Sequence, residues 1–189
     1  LKTYVNEHAH VLIVGCGTGY ELGYLLQLFP NWSFTATDLS ATMLEKAKQY
    51  IQPLDALHRV EFALADVDQL KTEQTYDAAL SILVTHFVPY AQKLNFLKAI
   101  DSRLKQHGVF IGFDLTTIKT DQDRGMLQHI CEANGLSTAQ STAMLSRLAD
   151  DFYPLSEQET FEQLNLAGFA SVQRFTQILS YQGFMALKV

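Results

Sequence analysis

Cysteine and long apolar runs are what this sequence has least of. Only two cysteines, Cys16 and Cys131, occur among 189 residues, so a disulfide framework cannot be built. The most apolar stretch, 78–84, is far shorter than the ~18 residues that a membrane-spanning helix needs. We therefore expect a cytoplasmic protein in a reducing compartment, with no membrane partner.

Basic charge is also in short supply. The chain has 14 Lys and Arg against 20 Asp and Glu, a net charge of −6, and its basic residues form no extended run. Binding of nucleic acid requires a basic patch that neutralises phosphates, so no nucleic-acid partner is expected. His129 and Cys131 lack further metal ligands at suitable spacing, and no metal site is predicted.

The length fits a single domain over residues 1–189, and 48% apolar residues are enough to fill a core. The sequence begins at Leu1 rather than Met, shortly before the first predicted strand. We therefore expect a further N-terminal segment. The oligomeric state stays open, with a homodimer as one alternative.

Short apolar runs alternate with helical patterns in the first part of the chain. Five strands are predicted, at 11–14, 33–37, 60–64, 78–83 and 109–113. The first helix is expected to start at a capping box of Thr18 and Glu21, the second at Ser40, and the third to end at Gly108. This alternation predicts an α/β domain with a parallel sheet.

The pattern changes after Asp114. Helices are predicted at 121–133 and 141–150, within a helical insert that covers 115–155. A capping box of Ser156 and Glu159 predicts one more helix, which stops at Gly168. Two strands follow with no helix between them, at 170–177 and 181–188, and should pair as an antiparallel hairpin.

Three carboxylates follow predicted parallel strands: Asp38, Asp66 and Asp114. Ligands of open α/β sheets bind outside the carboxyl ends of the strands. A glycine-rich loop follows the first strand at the same edge, at 15–19. Each acid alone could be a helix cap or a solvated loop residue, but together they indicate a ligand site.

The glycine loop predicts close approach of a ligand to the backbone. Gly15 and Gly17 permit a tight turn, and Gly19 lets the helix start close to the strand. A dinucleotide site would have the spacing G-x-G-x-x-G, and here Tyr20 stands at the final glycine position. Asp38, 21 residues after Gly17, suits the two hydroxyls of a ribose. We expect a nucleoside ligand without a pyrophosphate.

The ordered set of motifs resembles the class I S-adenosylmethionine-dependent methyltransferases over almost the whole chain. The matching segments are VLIVGCGTG at 11–19, TDLSATML at 37–44, ADV at 65–67, YD at 76–77, SILVTHF at 81–87 and GVFI at 108–111. This resemblance implies a Rossmann-like, seven-stranded, mostly parallel sheet with a C-terminal antiparallel hairpin and helices on both faces. Only the last strand would be antiparallel.

The resemblance also implies S-adenosyl-L-methionine as cofactor and a small molecule as methyl acceptor. Asp38 would hold the ribose, Leu39 the adenine face, Asp66 the adenine amino group and Val67 the ring edge. Further residues would complete the cofactor site, namely Gly15, Cys16, Gly17, Gly19, Met43, Ser81 and Leu83.

One position departs from the family pattern. Many members carry an acid two residues before the first glycine, where this chain has Ile13. That acid helps to organise the methionine amino group, and Glu21 is a candidate to compensate. The alternatives are weak cofactor binding or a modified cofactor, and the insert and hairpin resemble carboxy-S-adenosylmethionine synthases faintly.

Methyl transfer requires mainly that the two reactants are positioned, with a base when the acceptor must lose a proton. His86 follows the fourth strand at the ligand edge and is the candidate base. The predicted acceptor pocket, shaped by the helical insert, consists of His86, Phe113, Asp114, Tyr153 and Tyr181. Two alternatives stay open: a cofactor-binding protein without catalysis, and an NAD-dependent oxidoreductase, which Tyr20 disfavours.

Overall fold

Seven strands form one sheet in a computed structural model that describes residues 4–71, 73, 75–118, 120–148 and 151–189. The strands are His10–Val14 (β1), Ser33–Asp38 (β2), Val60–Leu64 (β3), Tyr76–Ile82 (β4), Leu104–Leu115 (β5), Phe169–Ile178 (β6) and Tyr181–Lys188 (β7). Their order is β3-β2-β1-β4-β5-β7-β6. β1 to β5 pair in parallel, and β7 runs antiparallel to both β5 and β6. The predicted mostly parallel sheet with a closing hairpin is confirmed.

Helices cover both faces of the sheet, and β1 is therefore buried on both sides. Val11 and Ile13 pack into one apolar core and Leu12 and Val14 into the other. The helices are Tyr20–Leu28 (α1), Ala41–Ile51 (α2), Tyr90–Arg103 (α3), Asp121–Ala133 (α4), Thr138–Arg147 (α5) and Glu157–Ala167 (α6). Apolar residues of α1 and α2 belong to the first core, and those of α3 and α6 to the second.

Two predicted helix ends differ from the structure. The first helix begins after Gly19, which has a φ of 81° and no side-chain cap, so the predicted Thr18–Glu21 capping box does not form. The third helix ends at Arg103 instead of Gly108, because Leu104 already pairs with Tyr76 of β4. Gly108 lies in an irregular part of β5, where an added Cβ would come within 2.8 Å of a backbone oxygen.

Later signals agree better with the structure. Ser156 and Glu159 form their capping box, and Gly168 ends α6 with a φ of 113°. The predicted helix at 141–150 is observed as α5, which starts earlier at a Ser137 cap, while 149–150 lie outside the described residues. Within the part of the chain that is described, no helix is long and apolar enough to cross a bilayer.

The strand order places the ligand edge. The strand order reverses between the parallel neighbours β1 and β4. β2 and β3 lie on the far side of β1, and the remaining strands lie on the far side of β4. In such sheets the crevice lies at this switch point, outside the carboxyl ends of the strands. Val14, the last residue of β1, pairs with Thr37 of β2 and with Ser81 of β4. The glycine loop therefore enters the crevice directly.

Candidate active site

The glycine loop is shaped by close contacts with its neighbours. Gly15 has a φ of 71°, and a Cβ there would lie 2.5 Å from a methyl carbon of Val84. Gly19 has a φ of 81°, and a Cβ there would lie 2.9 Å from the Cβ of Ala47 on α2. Glycine is thus required at both positions by backbone conformation and by space. For Gly19, the contact that requires glycine is packing against α2.

Asp38 ties the glycine loop to the end of β2. Its Oδ2 accepts a hydrogen bond of 2.9 Å from the backbone N–H of Gly17, and its Oδ1 one of 2.8 Å from Ser40 N–H. Hydrogen bonds to an ionised acceptor are stronger than neutral ones. The carboxylate therefore fixes the loop while it borders the crevice.

A cleft of about 390 Å³ opens beside the loop. Its walls include five of the predicted cofactor residues, Gly15, Asp38, Leu39, Asp66 and Val67. Its size lies within the range of small-molecule sites. The sequence analysis thus located residues that the fold does bring together, although they come from the ends of three different strands.

Charge in this cleft is negative. Three carboxylates line it, those of Asp38, Asp66 and Asp68, and none of its described lining residues is Lys, Arg or His. A pyrophosphate would meet no cation here, whereas ligand hydroxyl, amino or cationic groups would meet acceptors. Leu39 adds an exposed apolar side chain to the wall, a suitable surface for a flat ring.

The other predicted cofactor residues stand apart from the cleft walls. Cys16 is buried in the core beside α1, and Ser81 is buried within β4. Met43 lies on α2, where its N–H donates to the Ser40 hydroxyl, and Leu83 is held in a left-handed conformation with a φ of 58°. The lining residues of the cleft include neither these four nor Gly17 and Gly19.

Two ionisable groups near the loop have shifted pKa values. Burial raises the pKa of the Cys16 thiol to about 12, with the charges of Asp38 and Glu21 acting in the same direction. Burial also raises the pKa of the Glu21 carboxyl to about 7; a backbone hydrogen bond opposes this shift and Asp38 adds to it. Cys16 is therefore protonated and unreactive as a nucleophile. Ile13, the position that departs from the expected family pattern, is buried in the core.

One further wall of the acidic cleft, besides the strand ends already described, was not predicted from the sequence. It is formed by the turn at Thr85–Phe87 and the start of α3, and its side chains include Phe87, Gln92 and Asn95. The polar pair at 92 and 95 has i,i+3 spacing on a helix that follows the fourth strand, a signal that was available.

His86 is buried beside this wall and pairs with the partly buried Asp114. The imidazole Nδ1 is hydrogen-bonded to Asp114 Oδ1, while the backbone N–H of His86 donates to Asp114 Oδ2 over 3.1 Å. The carboxylate also accepts from Leu115 N–H at 2.7 Å. Asp114 thus fixes the orientation of the ring and leaves Nε2 as the nitrogen that can exchange a proton with a ligand.

The remaining predicted pocket residues surround this pair. Tyr153 N–H donates to the His86 carbonyl at 2.7 Å, which ties the end of the insert to the His86 turn. Phe113 and Tyr181 stack on each other with ring centroids 6.1 Å apart, and the charge of Asp114 acts on the Tyr181 hydroxyl. Burial is the main cause that raises the pKa of Tyr181.

A second, more apolar cleft of about 510 Å³ lies between the His86 turn and the insert. It is lined by Phe87 and by residues of α5 and the segment after it, Gln140, Ala143, Met144, Arg147, Asp151 and Phe152. The rings of Phe87 and Phe152 lie 4.2 Å and 4.9 Å from the His86 ring. Phe87 also lines the acidic cleft, so the two spaces share this side chain.

Comparison with known proteins agrees with this geometry. The family described as "Methyltransferase domain" matches residues 12–110, which include the glycine loop, all three acids of the cleft and the His86 turn. The chain belongs to this family. The matched region stops within β5, so the insert and the closing hairpin lie beyond it.

One relative matches nearly the whole chain and another matches less than half of it. Carboxy-S-adenosyl-L-methionine synthase from Trichodesmium erythraeum is 22% identical over 192 residues, which cover 99% of this chain and 76% of that protein. Malonyl-(acyl-carrier protein) O-methyltransferase from Priestia megaterium is 36% identical over 78 residues, 41% of this chain and 27% of that protein.

Human N-acetylserotonin methyltransferase, solved in complex with S-adenosylmethionine, has a similar fold with a TM-score of 0.67. It is 16% identical, and the match covers 96% of this chain and 48% of that one. Among solved structures this chain spans about half to two thirds of the length of those it matches. Because the fold matches over 96% of this chain, the likeness establishes a class I methyltransferase fold.

Proposed function

We propose that the chain is an S-adenosylmethionine-dependent methyltransferase that acts on a small-molecule acceptor. The observation that carries this proposal is the acidic cleft at the glycine loop, whose described walls hold three carboxylates and no cation. Such a cleft suits a positively charged nucleoside, while a pyrophosphate would be repelled. The family membership of residues 12–110 supports the same conclusion.

The residues present fit the cofactor. Gly15 offers backbone without a side chain, Asp38 and Asp66 offer carboxylate acceptors, and Leu39 and Val67 offer apolar walls in the same cleft. We assign these five to cofactor contact. Gly17, Gly19 and Cys16 would build the loop, and Met43, Ser81 and Leu83 would support it. When bound, the cofactor would supply an activated methyl group: as the acceptor bonds to the methyl carbon, the bond from that carbon to the sulfonium sulfur breaks and S-adenosylhomocysteine leaves.

His86 is our proposed general base. Because Nδ1 is engaged by Asp114, the ring is held in one orientation, and a neutral imidazole could accept a proton at Nε2. Asp114 would act through His86 as a positioning residue. A base of this kind is needed when the acceptor carries a hydroxyl or protonated amine.

The apolar cleft between the His86 turn and α5 is the proposed acceptor site. It borders the proposed base through the rings of Phe87 and Phe152, and Phe87 also lines the acidic cleft. Its lining favours an acceptor with an apolar body. Tyr153, Phe113 and Tyr181 would then shape the neighbouring wall, as the insert at 115–155 was expected to do.

Calorimetry with purified protein tests the cofactor assignment. S-adenosylmethionine should bind, and Asp66→Asn should weaken binding about tenfold, because one hydrogen bond to a charged acceptor is lost. Asp68→Asn serves as the matched control on the same rim, since its side chain is exposed. Equal affinity of all three proteins would contradict the assignment of Asp66, and absence of binding by the parent protein would contradict the proposed function.

A second candidate is an enzyme that makes a modified S-adenosylmethionine. It is favoured by the synthase from Trichodesmium, whose match extends over 99% of this chain. Mass spectrometry of nucleosides retained by the native protein would distinguish the two. A carboxylated nucleoside would favour this candidate, and tight cofactor binding without turnover on any acceptor would favour a non-catalytic binding protein.

A homodimer and a cytoplasmic location stay predictions. Light scattering of the purified protein would test the homodimer.

A further inference from the structure

Lys93 on α3 is a buried cation. Only 1% of the residue is exposed, and it lies among the apolar side chains of α3, β5 and α6 that line the adjoining cavity. Lysine is almost never fully buried unless its charge has a partner. Here the ammonium donates a hydrogen bond to the backbone carbonyl of Thr85 and lies 5.7 Å from the centre of the Tyr90 ring.

Several polar groups face Lys93 from the elements packed around it. A cavity of about 40 Å³ is bordered by Lys93, by His86 from the turn, by Asp114 from β5 and by Thr160 from α6. This volume is enough for an ordered water. Burial lowers the pKa of Lys93 to about 8, and the negative charge of Asp114 partly opposes that shift. At neutral pH the ammonium therefore still carries its charge.

We propose that Lys93 is a positioning residue for the His86–Asp114 pair: through Thr85 it fixes the turn that carries His86, and its charge balances that of Asp114. This inference rests on the proposed function in so far as His86 serves as the base. A neighbouring carboxylate favours the protonated form of an imidazole, and a neighbouring cation disfavours it. The charge of Lys93 therefore acts on the ring of the proposed base in the sense opposite to that of Asp114.

The chemistry of the position argues against a purely structural role. An apolar side chain of similar length would fill this space without the desolvation cost of an ammonium, and such replacements are often neutral or stabilising. Met and Gln separate the two contributions of Lys93. Lys93→Met removes both the hydrogen bond to Thr85 and the charge, whereas Lys93→Gln keeps a donor and removes only the charge.

The pH dependence of kcat/KM for methyl transfer is the first measurement. Loss of the positive charge should move the acid limb to higher pH by about one unit in both variants. Lys98→Met is the matched control, because Lys98 is exposed on the same helix. An unmoved acid limb in Lys93→Gln, or an equal shift in Lys98→Met, would overturn the proposal.

A double-mutant cycle on stability gives a readout that needs no turnover. Lys93→Met, Asp114→Asn and the combined variant are unfolded in urea, and the shifts in midpoint should be non-additive because the two charges interact. Additive shifts would overturn the role of Lys93 whether or not the protein is active. Non-additive shifts in a protein that transfers no methyl group would instead contradict only the proposed function. Lys93→Gln replaces Lys93→Met in the cycle if the latter does not fold.

Discussion

Asp38→Asn should weaken both the fold and the cofactor site, by amounts that follow from its hydrogen bonds. The carboxylate accepts from Gly17 N–H at 2.9 Å and from Ser40 N–H at 2.8 Å. Asparagine keeps one acceptor oxygen and turns an NH₂ group toward the other donor. One charge-assisted bond is lost, at a cost of about 1.5–3 kcal/mol. The loss leaves either the Gly17 N–H of the loop or the Ser40 N–H before α2 without its acceptor.

Urea unfolding with and without S-adenosylmethionine measures both consequences. The midpoint should fall by about 1 M, given a slope of roughly 2 kcal/mol per M. Stabilisation by the cofactor should also shrink, because affinity is expected to drop at least tenfold, about 1.4 kcal/mol. Asp68→Asn removes the same charge from the same cleft wall and should change the unfolding midpoint little, since its side chain is exposed.

Two results would refute this reasoning. If Asp38→Asn unfolded at the parent midpoint, the hydrogen bonds to the loop would not contribute to stability. If it unfolded early but bound the cofactor with unchanged affinity, Asp38 would serve the loop alone and the ribose assignment would be wrong.

Three further predictions concern other parts of the site. The pKa of the Glu21 carboxyl is raised from 4.5 to about 7, so the contribution of the protonated side chain to the free energy of unfolding is complete below about pH 4.5 and is lost as pH rises to about 7. In urea unfolding from pH 4 to 8, the Glu21→Gln variant should therefore become more stable relative to the parent protein across that range. Parallel curves for the two proteins would contradict the assigned burial. Gly19→Ala should cost about 1–2 kcal/mol or more in urea unfolding, owing to a φ of 81° and the contact with Ala47, whereas Gly125→Ala, where nothing lies within 4 Å, should be neutral or stabilising. Asp114→Asn should lower kcat by about 100-fold with little change in cofactor affinity in calorimetry, because it acts through His86; an unchanged kcat would remove the pair from the mechanism.

Local signals in the sequence predicted the elements well where their cause was itself local. The capping box at Ser156 and Glu159 forms because both partners lie on one helical turn. Thr18 and Glu21 have the same spacing and form no box, because the position between the loop and α1 is taken by Gly19 in a left-handed conformation. The same glycine lies against Ala47 of α2, where an added Cβ would come within 2.9 Å of the Ala47 Cβ, so a contact with another helix also requires glycine there.

The sequence by itself determined the class of the site. Short continuous apolar runs predicted the strands and period-3.6 patterns the helices. The carboxyl ends of parallel strands share an edge, so Asp38 and Asp66 had to meet the glycine loop. Only the tertiary structure decided which side chains share a wall or a charge. His86 and Asp114 are 28 residues apart and pair because β4 lies beside β5. Lysine side chains are mostly exposed, and Lys93 is buried because α3 packs against β5 and α6. Such contacts depend on the packing of distant elements, which a local pattern does not encode.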